Sequence, residues 1–332
     1  MSELKSFKNH MLIIRSSIEL FRNIKDKKFP KKLSIEDGRE LSKNIANELI
    51  NNINGLEVIN LWEDFDLTYY KNIGLISNNL IKNKKISSLI VNKEKNFSVN
   101  INEKEHLRLL YEKNGNNIKE MYEYLNKIDN LLEDKFRYSF DDRLGYLMSS
   151  LSNLGTGLKV SVTLHLPALT MLDKITKVSK QLENNNLCIE GLYGEKGYSY
   201  GNLYKISNKW CLGASEEDII TNLEDNIINI INEELKERTN LFNESKINLE
   251  DKVYRAYGIL KYARQLSFIE CLELLSDLRL GVENDILEIK LSDIEKLSYL
   301  AKNSVIKSMG EDNIIDECLD IERANVIRKL LE

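Results

Sequence analysis

Eight residues, Lys159 to Leu166, constrain the fold more than any other stretch. Val160, Val162, Leu164 and Leu166 alternate with Lys159, Ser161, Thr163 and His165. A period of two puts the apolar side chains on one face of a strand and the polar ones on the other, so the strand is buried on one side only. Pro167 closes it, and Leu169, Leu172, Ile175 and Leu182 then supply the face of a helix. Two further runs, 86–91 (Ile86, Leu89, Ile90, Val91) and 97–101 (Phe97, Val99, Ile101), read as strands joined in a hairpin by the polar turn Asn92 to Asn96. Leu187 to Tyr193 and Asn202 to Ile206 are the remaining strand candidates.

Helical signals surround these strands. Residues 33 to 50 carry Ser34 as a cap, Asp37 three residues on, and a stripe of Ile35, Leu41, Ile45 and Leu49. His106 to Tyr111 is expected to begin a helix, and Ile118, Tyr122, Leu125, Ile128 and Leu132 continue another. Ser215 with Asp218 predicts a further start, followed by Ile219, Leu223, Ile227, Ile230 and Leu235. Beyond about residue 248 no strand pattern recurs, and the whole chain holds only two prolines. The expected organisation is an α+β domain over 1–250 and an all-helical domain over 251–332, with the Asn-rich stretch at 240–248 as the hinge.

Composition narrows the function classes. A chain of 332 residues, 42% hydrophobic and 30% charged, can bury two cores, and its net charge of -5 argues against a protein built to coat nucleic acid. No apolar run is long enough for a membrane span or a signal peptide. Cys188, Cys211, Cys271 and Cys318 form no C-x-x-C pair, and His10, His106 and His165 are far apart, so a structural zinc site is not expected. These features suggest a reduced, cytoplasmic compartment.

The run Gly145 to Gly157 ends Asn153-Leu154-Gly155-Thr156-Gly157. Two glycines around a threonine can turn backbone N–H groups toward an anion, but the run lacks the Gly-Lys-Ser/Thr ending of the common triphosphate loop. The other reading is a tight connection into the buried strand. The wider segment, G-Y-L-x-S-x-x-x-N-L-G-T-G-L-K-x-S-V-x-x-H-L-P-A-L from Gly145 to Leu169, resembles the signature of phosphagen kinases and, more specifically, of bacterial protein arginine kinases. The resemblance extends through Arg22 to Pro30, Asn102 to Arg108, Gly191 to Glu195, Gly201 to Asn208, Ser245 to Gly258 and Leu275 to Gly281. It implies a phosphagen-kinase-like domain with an antiparallel sheet flanked by helices, followed by a helical C-terminal domain. The implied reaction moves the γ-phosphoryl group of ATP onto a guanidinium.

That chemistry needs cations around the donor triphosphate and carboxylates around the cationic acceptor. Position by position, the resemblance implies arginines where this chain has Ser17, Glu19, Lys159 and Glu190, and it leaves Arg108 in place. It implies a catalytic glutamate where Lys104 stands, a cysteine where Ser150 stands, and a second carboxylate where Tyr198 stands. Glu103, Glu105 and Glu195 are neighbours that could step in, but strand alternation would aim a neighbouring side chain at the opposite face. In the C-terminal domain, Asp320 and Arg323 remain from a phosphoarginine-sensing motif whose first arginine is Leu319. Tyr254 and Tyr257 are expected to pack the junction between the domains.

With these replacements, the expected protein is a non-catalytic pseudokinase, with no cofactor, serving as scaffold or regulator in the arginine phosphorylation and Clp protease stress system. The partners implied are an active protein arginine kinase, a small zinc-containing activator, a Clp ATPase or a heat-shock repressor. A homo-oligomer is also implied, and neither a membrane nor direct nucleic-acid contact is. Two alternatives stand beside it: an active protein arginine kinase with a rearranged site using ATP and magnesium, or a binder of another anionic ligand in the old cleft.

Overall fold

The computed structural model describes residues 11–63, 65–194, 198–309 and 318–331. Its organising element is an eight-stranded sheet. In chain order the strands are β1 (Ile13–Arg22), β2 (Leu56–Asn60), β3 (Ser88–Asn92), β4 (Phe97–Ile101), β5 (Leu107–Asn114), the short pair β6 (Phe140–Asp141) and β7 (Gly145–Tyr146), β8 (Leu158–His165), β9 (Leu187–Gly191) and β10 (Leu203–Asn208). All but β6 and β7 join the large sheet, in the order β2-β3-β4-β5-β1-β8-β10-β9, and every pairing is antiparallel.

The helices divide into two sets. Within the sheet domain are α1 (Ile35–Asn52), α2 (Thr68–Asn72), α3 (Asn78–Lys82), α4 (Ile118–Phe136), α5 (Pro167–Met171), α6 (Ile175–Asn184) and the long α7 (Glu216–Tyr262). The C-terminal set is α8 (Phe268–Glu283), α9 (Leu291–Leu300), α10 (Asn303–Met309) and α11 (Leu319–Leu331). Ser34 caps α1 by accepting from the Asp37 N–H, and Ser215 with Asp218 forms a reciprocal capping box on α7, as their spacing predicts. Within α7, Ser245 leaves helical geometry (φ -142°, ψ 39°), which places a kink inside the Asn-rich stretch.

The alternation in β8 sets which face each side chain takes. The expectation of burial on one side only needs correction: Ser161, Thr163 and His165 are buried as well, and only Lys159 is partly exposed, because the C-terminal helices cover their face. Leu158, Val160, Val162 and Leu164 are buried with Ile18 and Leu20 of β1 and Leu109 of β5 in the main core, which α1, α4, α6 and α7 cover. Lys159, Ser161, Thr163 and His165 therefore share the opposite face with Arg15, Ser17 and Glu19. A second cluster under α2 and α3, including Tyr70, Leu75 and Leu80, covers part of that opposite face by packing on Leu89, Val91 and Leu110. What these two clusters leave open is the stretch over β1, β8 and β10. A third core, with Leu260, Leu275, Leu278, Ile294, Leu297 and Ile327, holds the C-terminal helices together.

Three further readings need correction. His106 to Tyr111 does not begin a helix; Leu107–Asn114 is β5, a strand between β1 and β4. Leu107, Leu109 and Tyr111 alternate toward the main core, so period two wins over a short run that also fits helical spacing. The helix after Pro167 is two helices, broken where Asp173 adopts a left-handed φ of 53°. Finally, only one of the two junction tyrosines is packed: Tyr257 lies against the C-terminal core, whereas Tyr254 is 55% exposed.

Candidate functional site

Strand register sets the site out in rows. Glu19 stands opposite Lys159; Ser17 stands opposite Ser161, which stands opposite Ser207; Arg15 stands opposite Thr163, which stands opposite Lys205. Charged, hydroxyl and charged rows thus follow one another along the open face, each about 6–7 Å from the next at two residues of strand rise.

At one end, Arg108 of β5 donates from Nε to Glu19 Oε2 at 2.8 Å. Its Nη1 is buried and makes no hydrogen bond among the described residues. Burial alone would push the Glu19 carboxyl up, but the Arg108 guanidinium, with Lys205 and Lys159, holds it below the ordinary carboxylate range. Glu19 and Arg108 therefore form an internal ion pair. Lys159 turns to the other side, donating to the carbonyls of Asn208 and Lys209 at 3.0 and 2.9 Å.

The acceptor end is built on the connection between β4 and β5. Residues 102–106 form a tight turn with Asn102 at φ 59° and its N–H bonded to His106 O, so strand alternation does not govern where their side chains go. Glu103 is buried, takes a hydrogen bond from Ser77 Oγ, and lies close enough to Arg108 to help raise that arginine's pKa against the effect of burial. Lys104 points to solvent.

Glu105 is fully committed elsewhere. It accepts from Asn23 Nδ2 at 2.6 Å, from Ser149 N and Oγ, and from Ser150 N at 3.1 Å, which pins the 147–150 loop to the turn. Ser150 Oγ lies 3.0 Å from Ser152 Oγ. His106 accepts the Ile24 N–H at Nδ1 and, in that tautomer, donates from Nε2 to Lys28 O at 3.0 Å. It is a structural histidine.

The glycine loop is a connection rather than an anion cradle. Thr156 N donates to Cys211 O at 3.0 Å, and Leu158 N turns back to Thr156 Oγ1. Gly157 sits at φ 65°, where an added Cβ would stand 2.5 Å from Phe21 O. Tyr198 donates to Glu273 of α8 at 3.1 Å, and Glu190 is exposed on β9 opposite Lys205. Glu195 lies outside the described residues. The structure thus gathers Glu19, Arg108 and Glu103 at one end of the face, leaves Lys104 outside, and aims Ser17 into a cavity over the centre. Pattern reading overlooked Arg15 and Lys205, although their alternation with Ser17 and Ile206 was visible.

Residues 40–237 match the family described as ATP:guanido phosphotransferase, C-terminal catalytic domain. Residues 246–332 match the protein-arginine kinase McsB C-terminal domain. The protein-arginine kinase of Clostridium kluyveri is 39% identical over 329 residues, covering 97% of this chain and 95% of that one. The chain belongs to the protein-arginine kinase family. The Clostridium botulinum protein-arginine kinase is 40% identical over 96% of this chain, and that of Bacillus thuringiensis 32% identical over 96%. Among solved structures, the substrate-free duplicated taurocyamine kinase of Schistosoma mansoni superposes with a TM-score of 0.60 at 26% identity, over 71% of this chain and 35% of that one.

These relatives correct the expectation of a pseudokinase. Protein-arginine kinases from several bacteria align with this chain almost end to end, which overturns the reading of the chain as a non-enzyme scaffold and the expectation that it needs no cofactor. Strand alternation does not hold at Glu103, because it sits on a turn, where its carboxylate lies buried near Arg108. Among the described residues, no helix is long and apolar enough to cross a membrane.

In the helical domain of this protein-arginine kinase family member, Arg323 is buried. It donates to Ala301 O at 2.8 Å and also to Leu266 O, Asp320 and Asn303. Every guanidinium nitrogen is spent on tying α11 to the ends of its neighbours, so Asp320 and Arg323 here serve the packing of the domain.

His106 and His165 are both held down to about 4, mainly by burial. Hydrogen bonding of His106 to Lys28, and Glu283 beside His165, oppose this without reversing it. The unfolded chain therefore takes up these protons first as pH falls. Stability is expected to be full above about pH 6.5 and to decline between 6.5 and 4, by at most roughly 3 kcal/mol per histidine. Melting midpoints at pH 7.5 and 5 check this; equal midpoints would refute it.

Proposed function

We propose that this chain is an ATP-dependent protein-arginine kinase working with a rearranged site. The observation that carries the reading is the placement of a buried carboxylate, Glu103, near an arginine whose Nη1 is buried and unspent. In this reading Arg108 meets a phosphate oxygen of the donor, and Glu103 holds the acceptor guanidinium. The guanidinium nitrogen attacks the γ-phosphorus, an N–P bond forms as the P–O bond to ADP breaks, and Glu103 takes the proton released. The Glu19–Arg108 pair keeps the guanidinium oriented.

The residues present fit a polyphosphate, because buried Nη1 and the hydroxyls of Ser17 and Ser161 are donors without partners among the described residues. No cluster of three or more acidic, histidine or cysteine side chains that could hold a metal occurs among the described residues. Magnesium would accordingly arrive on the nucleotide, where it neutralises the phosphate charge.

Family membership across both domains supports this reading. The test is transfer of label from γ-labelled ATP to an arginine-rich protein, with the product identified as acid-labile phosphoarginine. The wild-type chain is expected to transfer, and Glu103→Gln to lose about 10²- to 10⁴-fold in rate with little change in melting midpoint. A wild-type preparation that transfers nothing under conditions where the Clostridium kluyveri relative does would overturn the proposal. Equal rates for wild type and Glu103→Gln would remove Glu103 from its role. The arginine-phosphorylation and Clp protease setting, with its activator and repressor, belongs to the same proposal and is tested by capture of those partners on the full chain.

A further inference from the structure

Over the open face lies a cavity of about 630 Å³, roofed by the C-terminal helices and walled on one side by residues 71–74. Its floor is the hydroxyl row and the charged row beyond it: Ser17 and Ser161, then Arg15, Thr163 and Lys205. Six lysine or arginine side chains line it against two carboxylates, Glu112 and Glu295. Part of this charge is spent. Arg15 lies 3.4 Å from Glu112, and Arg279 is engaged by Glu283 and the Met11 carbonyl.

The rest is not. The ammonium groups of Lys205 and Lys302 and the hydroxyls of Ser17, Ser161 and Thr163 make no hydrogen bond among the described residues, although the three hydroxyl residues are under a tenth exposed. Groups like these inside a concave site are normally satisfied by a ligand or water. Lys302, which belongs to the helical domain, is pressed further: burial and the facing Arg15 lower its pKa, with only Glu112 opposing. A polyanion between Arg15, Lys205 and Lys302 would relieve that repulsion.

Distance along the strands makes the site continuous with the transfer site. Arg15 is two residues from Ser17 and four from Glu19 on the same face of β1, so about 13 Å of strand separates the two charged rows. Long Lys and Arg side chains from each end reach toward the hydroxyl row between them. We propose that the polyphosphate of the donor nucleotide lies over Ser17 and Ser161, held by Arg15 and Lys205 from the sheet and Lys302 from the C-terminal domain. These cations stand in for the arginines absent at positions 17 and 19. The helical domain is then part of the nucleotide site. This inference rests on the kinase reading for the identity of its ligand.

Calorimetric titration of the full chain with inorganic tripolyphosphate, and separately with magnesium ATP, tests it beside the transfer assay. Lys205→Ala and Lys302→Ala are each expected to weaken tripolyphosphate about tenfold and to raise KM for ATP by a similar factor, with melting midpoints within a few degrees of wild type. Lys302→Arg, which keeps the charge, should restore most of the affinity. Wild-type transfer with tripolyphosphate binding unchanged in both alanine variants would overturn the inference and leave the kinase reading standing. Binding that depends on Lys205 and Lys302 in a chain that never phosphorylates arginine would support the chamber and overturn that reading. No tripolyphosphate binding to the wild-type chain would overturn the inference.

Discussion

Arg108→Ala is expected to reduce arginine phosphorylation by two to three orders of magnitude. In the proposed role the side chain offers its unspent Nη1 to the donor, and loss of one positioned donor aimed at developing charge typically costs about 10²- to 10³-fold in rate. The substitution also leaves Glu19 without its partner at 2.8 Å. With its main source of positive charge removed, the Glu19 carboxyl should titrate nearer to the ordinary range, and a second anion near the phosphates should raise KM for ATP. The double variant Glu19→Gln/Arg108→Ala separates the two effects: KM should recover toward wild type while the turnover number stays low. A single variant retaining more than a third of wild-type turnover would show that Arg108 does not meet the transferring group.

The second large effect concerns stability. Arg238 of α7 donates to Glu234 at 2.6 Å, to Glu283 of α8, and to His165 O at 3.1 Å, all in the buried region between the sheet and the C-terminal helices. Glu234 also accepts the first N–H groups of α5, from Ala168 and Leu169, both at 2.9 Å. Glu283 in turn takes Arg279 at 2.7 Å and keeps a pKa well below the usual carboxylate range. Arg238→Ala would leave buried Glu234 without a counter-charge and Glu283 with Arg279 alone, and breaking a buried pair in this way costs about 3–5 kcal/mol. A matching loss of unfolding free energy in urea is expected. Arg238→Lys should rescue little of it, because an ammonium lacks the planar fork that reaches three acceptors at once. A loss below about 1 kcal/mol for the alanine variant would show that the network relaxes around water.

Much of the architecture was legible from pattern. Side-chain alternation in β8, the two Ser caps and the absence of strands beyond the kinked helix are local properties, and local properties survive translation into structure. β5 was misread because six residues that satisfy both periods carry no information about which one tertiary pairing selects. The site was legible only as identities. Its amino acids could be set against a family pattern, and that comparison says nothing of where the charges go in space.

The sequence by itself determined which residues share a face of each strand, where helices begin, and which family this chain joins, because these follow from spacing and identity along one dimension. Only the tertiary structure decided that Glu19 neutralises Arg108, that Glu103 turns inward while Lys104 turns out, and that a helical domain lays Lys302 over Arg15. Each of those is a pairing between groups 80 or more residues apart in most cases, or a turn geometry held by distant partners. Electrostatic consequence depends on such distances in space, and the order of residues in the chain does not contain them.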